Sequence, residues 1–130
     1  MTIRNAEEKV TIMTTSKGFL RKVEGFKPIL EKLKDRGVDI RIAAPMNEET
    51  ESAAEELRGI ADVRESNDIE ARFVVVDGSE IVFMIMDDEE VHPTYDIGIW
   101  LNTPFFSRAV ENLFDIAWEQ MEEIKLKQEA

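Results

Sequence analysis

Short apolar runs and amphipathic stretches alternate along the first third of the chain. Residues 10–15 are rich in β-branched side chains and predict a buried strand that ends at the Ser16-Lys17-Gly18 cluster. Apolar side chains then recur at helical spacing, with Pro28 near the first turn of the predicted helix and Gly37 just after its last turn. Residues 38–44 alternate Val or Ile with Asp or Arg, which predicts a second strand. The apolar face of the predicted helix is made by Phe26, Ile29, Leu30 and Leu33.

The middle of the chain predicts a second helix, a short edge strand and a β-hairpin. Asn47 is a favourable N-cap, and the glutamates that follow it suit the positive end of a helix. Gly59 is a plausible stop for this helix, and residues 61–65 predict the edge strand. The hairpin has strands over 72–76 and 80–86, joined by the Asp77-Gly78 turn. The narrow apolar stripe of the second helix consists of Ala53, Ala54, Leu57 and Ile60.

The last third of the chain predicts a loop and a long helix. Residues 87–101 have a loop composition, with room for a short strand around 97–100. Asn102 or Thr103 would cap the final helix, with Pro104 at or near its first position. The resulting order is βαβαβββα, so we expect an α/β fold in which helices flank a mixed sheet. The final helix carries a broad apolar stripe of Phe106, Val110, Leu113, Phe114, Ala117, Trp118, Met121 and Ile124.

Composition narrows the classes of function. The 130 residues are the usual size of one domain, and the absence of cysteine excludes disulfides and thiolate metal sites. Without a signal peptide or a long apolar run, we expect a cytoplasmic protein that does not enter a membrane. The net charge of −12 disfavours binding to phosphate backbones. The chain could still belong to a DNA-binding protein whose basic surface lies in another segment.

The hairpin carries the spacing of a catalytic motif. Phospholipase D enzymes have a His, a Lys two positions later and an Asp five positions after the Lys, and here these positions are Glu70, Arg72 and Asp77. The chemistry needs an imidazole that attacks phosphorus and an imidazole that protonates the leaving group. A glutamate is a poor nucleophile towards a phosphodiester, whereas Arg72 could still hold an anion bidentately. In the alternative interpretation, Asp77 is only a turn residue.

From residue 9 to residue 118 the chain resembles the phospholipase-D-like C-terminal domain of TrmB-type archaeal transcription regulators. The resemblance is carried by residues 6–15, 30–42, 71–78 and 96–104, followed by Leu113-Phe-Asp-Ile-Ala-Trp118. It implies a non-catalytic domain, spanning residues 1–130, that senses a small-molecule effector, forms a homodimer and needs no cofactor. In that family a winged-helix DNA-binding domain precedes this one, and the best-known members carry a further sugar-binding domain. We find neither segment in this sequence.

The predicted binding residues lie at the carboxyl ends of the strands, where ligands of open α/β sheets bind. Thr15, Ser16 and Lys17 follow the first strand, Asn47 follows the second, and Arg72 is expected near the same edge. Hydroxyls, an ammonium group and helix N-terminal amides could together hold an anion or a polyol there. In the alternative interpretation, the hydroxyl side chains only cap the turn that follows.

Two further features have a structural interpretation that we favour over a functional one. Residues 87–90, with His92 and Asp96, could hold a hard cation, but their spacing matches no EF-hand and a solvated acidic loop is the better interpretation. The aromatic side chains Tyr95, Trp100, Phe105 and Phe106 could stack on a ligand, although core and dimer contacts are commoner. We therefore predict no metal site, and keep a divergent phosphodiesterase and a ligand-free interaction module as alternative functions.

The charge of the chain generates a prediction about DNA. We expect the isolated 130-residue chain not to bind duplex DNA at physiological salt, because its surface repels the phosphates. Fluorescence anisotropy with a labelled duplex, read at ~0.05 and ~0.15 M salt, would test this. Saturable binding at the higher salt would contradict it.

Overall fold

Three helices and seven strands make up the described part of the chain. The structure is a computed structural model that describes residues 5–66, 71–84 and 98–123. The helices are α1 (Ser16–Asp35), α2 (Glu48–Glu56) and α3 (Pro104–Gln120). The strands are β1 (Lys9–Met13), β2 (Asp39–Ala44), β3 (Asp62–Glu65), β4 (Phe73–Val76), β5 (Glu80–Met84), β6 (Gly98–Asn102) and β7 (Glu122–Glu123).

The strands form one mixed sheet in the order β6-β5-β4-β1-β2-β3-β7. β1, β2 and β3 run parallel, and the other neighbours pair antiparallel. This confirms the predicted α/β fold with a mixed sheet. β6 corresponds to the short strand predicted around residues 97–100, whereas the two-residue β7 was not predicted. Within the described residues, none of the helices has the length and apolarity needed to cross a bilayer.

The larger core lies between the sheet and the helix pair α1 and α2. Alternate residues of β1 and β2 supply its sheet side, because successive side chains of a strand point to opposite faces. α1 contributes Phe19, Val23, Leu30 and Leu33, and the C-cap of α2 contributes Leu57, all buried. The other face of the sheet carries α3 over a smaller cluster that contains Met13, Ala43, Phe114 and Trp118.

The predicted start of α1 was wrong by about three turns. The helix begins at Ser16, so Pro28 lies inside it rather than near its first turn. A proline within a helix costs about 3 kcal/mol, but the Pro28 side chain is exposed, and the earlier turns bury Phe19 and Val23. Each buried side chain of that size contributes about 1.5–3 kcal/mol. Burial therefore outweighs the local cost.

The predicted apolar stripe of α3 is only partly buried. Phe114 and Trp118 face the sheet, but Phe106 is 40% exposed and Leu113 is 68% exposed. The buried side of the helix is completed by Ser107 and Glu111, which are polar. The helix turns this mixed side inward because the sheet beneath it presents basic side chains rather than a purely apolar surface.

The N-terminus of α2 offers a test of local stability. The Asn47 side chain accepts a hydrogen bond from the Thr50 N–H at 3.0 Å, and the Thr50 hydroxyl accepts one from the Asn47 N–H at 2.7 Å. We expect Asn47→Ala to lower the free energy of unfolding by about 1 kcal/mol, because this capping box is lost. Urea denaturation measures the change. Asn47→Asp is the matched control and should stay within a few tenths of a kcal/mol of wild type; an equal loss in both variants would contradict the capping role.

Candidate functional site

The carboxyl edge of the sheet brings the ends of three parallel strands beside the start of β4. The Thr14 N–H donates to the Ala43 carbonyl at 3.0 Å, and the Ser66 N–H donates to the Ala44 carbonyl at 3.0 Å. The ladders therefore continue one residue beyond β1 and β3. In open α/β sheets this edge is the usual place for a ligand, so it is the candidate site of this fold.

Arg72 lies at this edge just before β4, the antiparallel neighbour of β1. The register pairs Met13 with Phe73, so Thr14 and Arg72 are the next residues across from each other. Facing residues of antiparallel strands project from the same side of the sheet. Arg72 is 7% exposed, and Thr14 is 2% exposed. An arginine and a threonine are thus buried on neighbouring strands, close in sequence to the N-terminus of α1.

Three of the five predicted binding residues bond to nearby backbone groups. The Thr15 hydroxyl caps α1 by accepting from the Gly18 N–H at 3.0 Å. The Ser16 hydroxyl donates to the Pro45 carbonyl at 3.2 Å, and Asn47 caps α2. Lys17 is exposed in the first turn of α1. The structure brings these residues and Arg72 to one edge, where Thr15, Ser16 and Asn47 fix the two helix starts.

Two hydroxyl groups at the same edge were not among the predicted binding residues. Thr14 Oγ1 and Ser66 Oγ are buried and have no hydrogen-bond partner among the residues that the structure describes. A buried hydroxyl without a partner costs about 1–3 kcal/mol, so a polar ligand that reached either group would regain this energy. The sequence signal was weak, since a Thr and a Ser that follow strands are common turn residues.

Asp77 lies at the opposite end of β4 from Arg72. Its carboxylate accepts hydrogen bonds from the N–H groups of Glu7, Glu8 and Lys9 at 3.0, 2.8 and 3.0 Å. Its own backbone is left-handed, with φ of 55°, as the Asp-Gly turn requires. Five residues of extended chain place it ~16 Å from Arg72. The structure thus separates these two motif positions and gives Asp77 the turn role; the third, Glu70, lies outside the described residues.

These hydrogen bonds also set the ionisation of Asp77. Burial on its own would raise the pKa of the Asp77 carboxyl, but the N–H groups of Lys9, Glu7 and Glu8 outweigh it and hold the pKa below the ordinary aspartate value. Asp77 therefore stays ionised in the folded chain. Its charge stabilises the backbone conformation of the residues that lead into β1.

A layer of charged and aromatic side chains joins α3 to the sheet. Arg41 forms an ion pair with Asp115 at 2.7 Å, and its guanidinium lies 5.0 Å from the centre of the Phe114 ring. Arg64 lies 4.5 Å from the centre of the Trp118 ring and donates to the Trp118 carbonyl at 2.6 Å. Both arginines were missed from the sequence because polar residues that alternate in a strand usually face solvent.

No metal site is visible in the part of the chain that the structure describes. Among those residues no three His, Asp or Glu side chains come close enough to hold a cation. The acidic segment 87–90, with His92 and Asp96, lies outside the described residues, and so does Tyr95.

The family of the chain follows from its sequence. Residues 1–125 match the family described as the N-terminal subdomain of the EBD of the transcriptional regulator TrmB. This chain belongs to the TrmB family. The predicted resemblance is therefore confirmed. Among curated proteins, no sequence matches the chain.

Solved structures support the fold of this TrmB-family domain. TrmBL2, described as an archaeal chromatin protein with a novel mode of DNA binding, has a TM-score of 0.68 and 15% identity over 95% of this chain and 48% of its own. The phospholipase D family member Nuc from Salmonella typhimurium has a TM-score of 0.69 and 14% identity, over 94% and 85%. NucT from Helicobacter pylori has a TM-score of 0.69 and 10% identity, over 93% and 85%. The chain thus has a phospholipase-D-like fold and spans about half of the TrmBL2 chain.

The charge of Asp77 generates a pH-dependent prediction. Asn tolerates the left-handed backbone but is a neutral acceptor, so we expect Asp77→Asn to lower the free energy of unfolding at pH 7 by about 1–2 kcal/mol. A lowered folded-state pKa gives stability that is complete above the unfolded-state pKa, about 3.9, and is lost as pH falls through the folded-state pKa.

The difference between wild type and Asp77→Asn should therefore shrink as pH falls below about 3.9. Chemical denaturation at pH 7, 5 and 3 measures it. Asp39→Asn, which removes an exposed aspartate beside the same strand, is the control and should change little. A difference that stays constant over this range would contradict the structural role of the charge.

Proposed function

We propose that the chain is the non-catalytic, effector-sensing domain of a TrmB-type transcription regulator and that it works as a homodimer. The carrying observation is the burial of Arg72 beside Thr14 at the N-terminus of α1. The family, a regulator of transcription, supports the regulatory part of the proposal. Residues 1–130 form, in this proposal, one regulatory domain, with DNA contacts left to another part of the regulator.

The chemistry of the edge favours an anionic effector. A guanidinium group supplies donors in a rigid fork that suits a carboxylate or a phosphate. The first turn of α1 adds N–H groups and the positive end of a 20-residue helix. The Thr14 hydroxyl could donate a further hydrogen bond. A small carboxylate or phosphate compound would thus find several hydrogen-bond donors at this edge.

The loss of catalysis follows from the residues at the motif positions. A phosphodiester displacement needs imidazoles as nucleophile and acid, and the motif's histidine position is Glu70. The only histidine, His92, lies in another segment of the chain. Retaining the basic residue while replacing the nucleophile gives a site that can hold an anion without cleaving it.

A route from this edge to α3 is present in the packing. Phe73 follows Arg72 directly and makes an edge-on contact with Phe114 of α3, with ring centres 6.2 Å apart. Phe114 in turn stacks on Trp118 at 5.4 Å. Because α1 and α3 lie on opposite faces of the sheet, a ligand that drew Arg72 towards α1 would pull Phe73 away from Phe114 of α3. Such a ligand acts as a signal only if it binds the two positions of α3 with different affinity.

The test is the affinity for a small anion. We expect wild type to gain thermal stability with inorganic phosphate or with one member of a panel of phosphorylated and carboxylated metabolites. Arg72→Ala should weaken that binding by more than tenfold, measured by isothermal titration calorimetry, because the bidentate donor is lost. Arg58→Ala removes an equal charge from an exposed position after α2 and should leave the affinity unchanged.

The control for folding is the melting temperature of each variant without ligand. Arg72→Lys keeps the charge and should retain part of the affinity, because a point charge replaces the fork. Equal affinities in wild type and Arg72→Ala would remove Arg72 from the site.

The phospholipase-D-like fold favours a second candidate, a divergent phosphodiesterase. Hydrolysis of bis-p-nitrophenyl phosphate by the pure chain, lost in Arg72→Ala but kept in Arg58→Ala, would support it. We expect no turnover above the rate without protein.

A further inference from the structure

The exposed large apolar side chains of the described residues are confined to one segment. All of them lie in β6 or α3, between residues 99 and 116. Phe105 is the most exposed at 89%, followed by Leu113 at 68% and Ile116 at 64%. Single exposed apolar residues are ordinary, but a contiguous patch marks an interaction surface.

On α3 these side chains form a face without charge. At 100° per residue, the uncharged positions occupy an unbroken arc of roughly 160°. The charged residues Arg108, Glu111, Asp115 and Glu119 occupy the other side, where Glu111 and Asp115 pair with the sheet. The arc consists of Phe105, Phe106, Ala109, Val110, Asn112, Leu113, Ile116, Ala117 and Gln120.

β6 extends this arc along the sheet. Ile99 pairs with Phe83, and the Phe83 ring lies 5.5 Å from that of Phe106 on α3. Ile99 and Leu101 therefore project on the α3 side of the sheet, next to the helix. We call this combined surface, the α3 arc with Ile99 and Leu101, the uncharged face.

We propose that the uncharged face is the contact between two copies of this chain. This inference rests on the proposed homodimeric function and names its surface. Its six exposed side chains present on the order of 600 Å² of apolar area, at ~150–200 Å² for a full side chain. A standard interface removes about 800 Å² from each partner, of which ~56–65% is apolar. The face is thus large enough to supply the apolar part of a stable dimer.

The net charge of the chain indicates which kind of partner can contact the uncharged face. Each copy carries a net charge of −12, so the repulsion between two copies is weaker when they meet through surfaces that carry no charge. The uncharged face fulfils that condition. A nucleic acid or an anionic lipid surface would need cations around the patch, and α3 supplies only Arg108. A symmetric contact also requires a surface that complements itself, which apolar side chains of mixed size provide.

The experiment compares two variants of α3 that have the same net charge. Leu113→Glu places a carboxylate at the centre of the uncharged face, while Arg108→Gln makes an equal charge change outside it. We expect sedimentation equilibrium of the full chain to give a dimer for wild type and for Arg108→Gln. For Leu113→Glu we expect a dissociation constant at least ~100-fold higher, because the carboxylate would be buried without a partner.

Phe105→Ser is a second variant at the most exposed position, where loss of folding is not expected, and it should weaken the dimer in the same direction. Far-UV circular dichroism confirms that each variant is folded. If wild type is a dimer and neither Leu113→Glu nor Phe105→Ser changes its dissociation constant, the uncharged face is not the dimer contact, although the homodimer itself is still supported. A wild type that stays monomeric at micromolar concentration would overturn both. Phosphate binding dependent on Arg72 would then still support the sensing function.

Discussion

The seating of α3 on the sheet depends on two guanidinium groups. Arg41 and Arg64 lie on neighbouring parallel strands and contact the aromatic rings of Phe114 and Trp118, and Arg64 also donates to the Trp118 carbonyl near the end of the helix. A guanidinium over an aromatic face contributes about 0.5–2 kcal/mol, and a cation near the end of a helix adds up to about 1 kcal/mol. These contacts select which side of α3 faces inward. The outward side is consequently apolar, which is the reverse of an ordinary surface helix.

The two ends of β4 have opposite chemical characters. At one end the Asp77 carboxylate accepts hydrogen bonds from three backbone N–H groups at the start of β1, which gives it a structural role. At the other end Arg72 and Thr14 bring donors to an edge where an anion could enter. An enzyme of this motif would need its nucleophile at that second edge. A site that only binds an anion needs hydrogen-bond donors and no nucleophile, and Arg72 and Thr14 supply such donors.

Sequence reasoning predicted the elements well where local chemistry and tertiary packing agree. The Asn47 cap, the Asp77-Gly78 turn and the alternation in β2 are local signals, and each gave the correct element. The prediction of the start of α1 was wrong because tertiary packing there outweighs the local cost of Pro28 inside the helix.

The site was only partly predictable for a related reason. Thr15, Ser16 and Asn47 were correctly placed at the carboxyl edge, but a hydroxyl or amide that follows a strand can equally cap the next helix, and here all three bond to nearby backbone. Arg41 and Arg64 gave no signal, because a basic residue that alternates with valine or isoleucine indicates solvent. Only the position of α3 shows that these side chains are covered.

The two sides of α3 have different roles in the proposed mechanism. The inward side of α3 contacts Phe73, the neighbour of Arg72, and its outward side carries the uncharged face. Because a packed aromatic cluster resists gradual deformation, a displacement at Phe73 would move the helix as a unit. Even a modest shift of α3 would change how two uncharged faces fit together. Ligand binding at the carboxyl edge and the geometry of the dimer would then both depend on the position of α3. Linkage requires the dependence to run both ways, so forming the dimer would alter the affinity for the anion by the same factor.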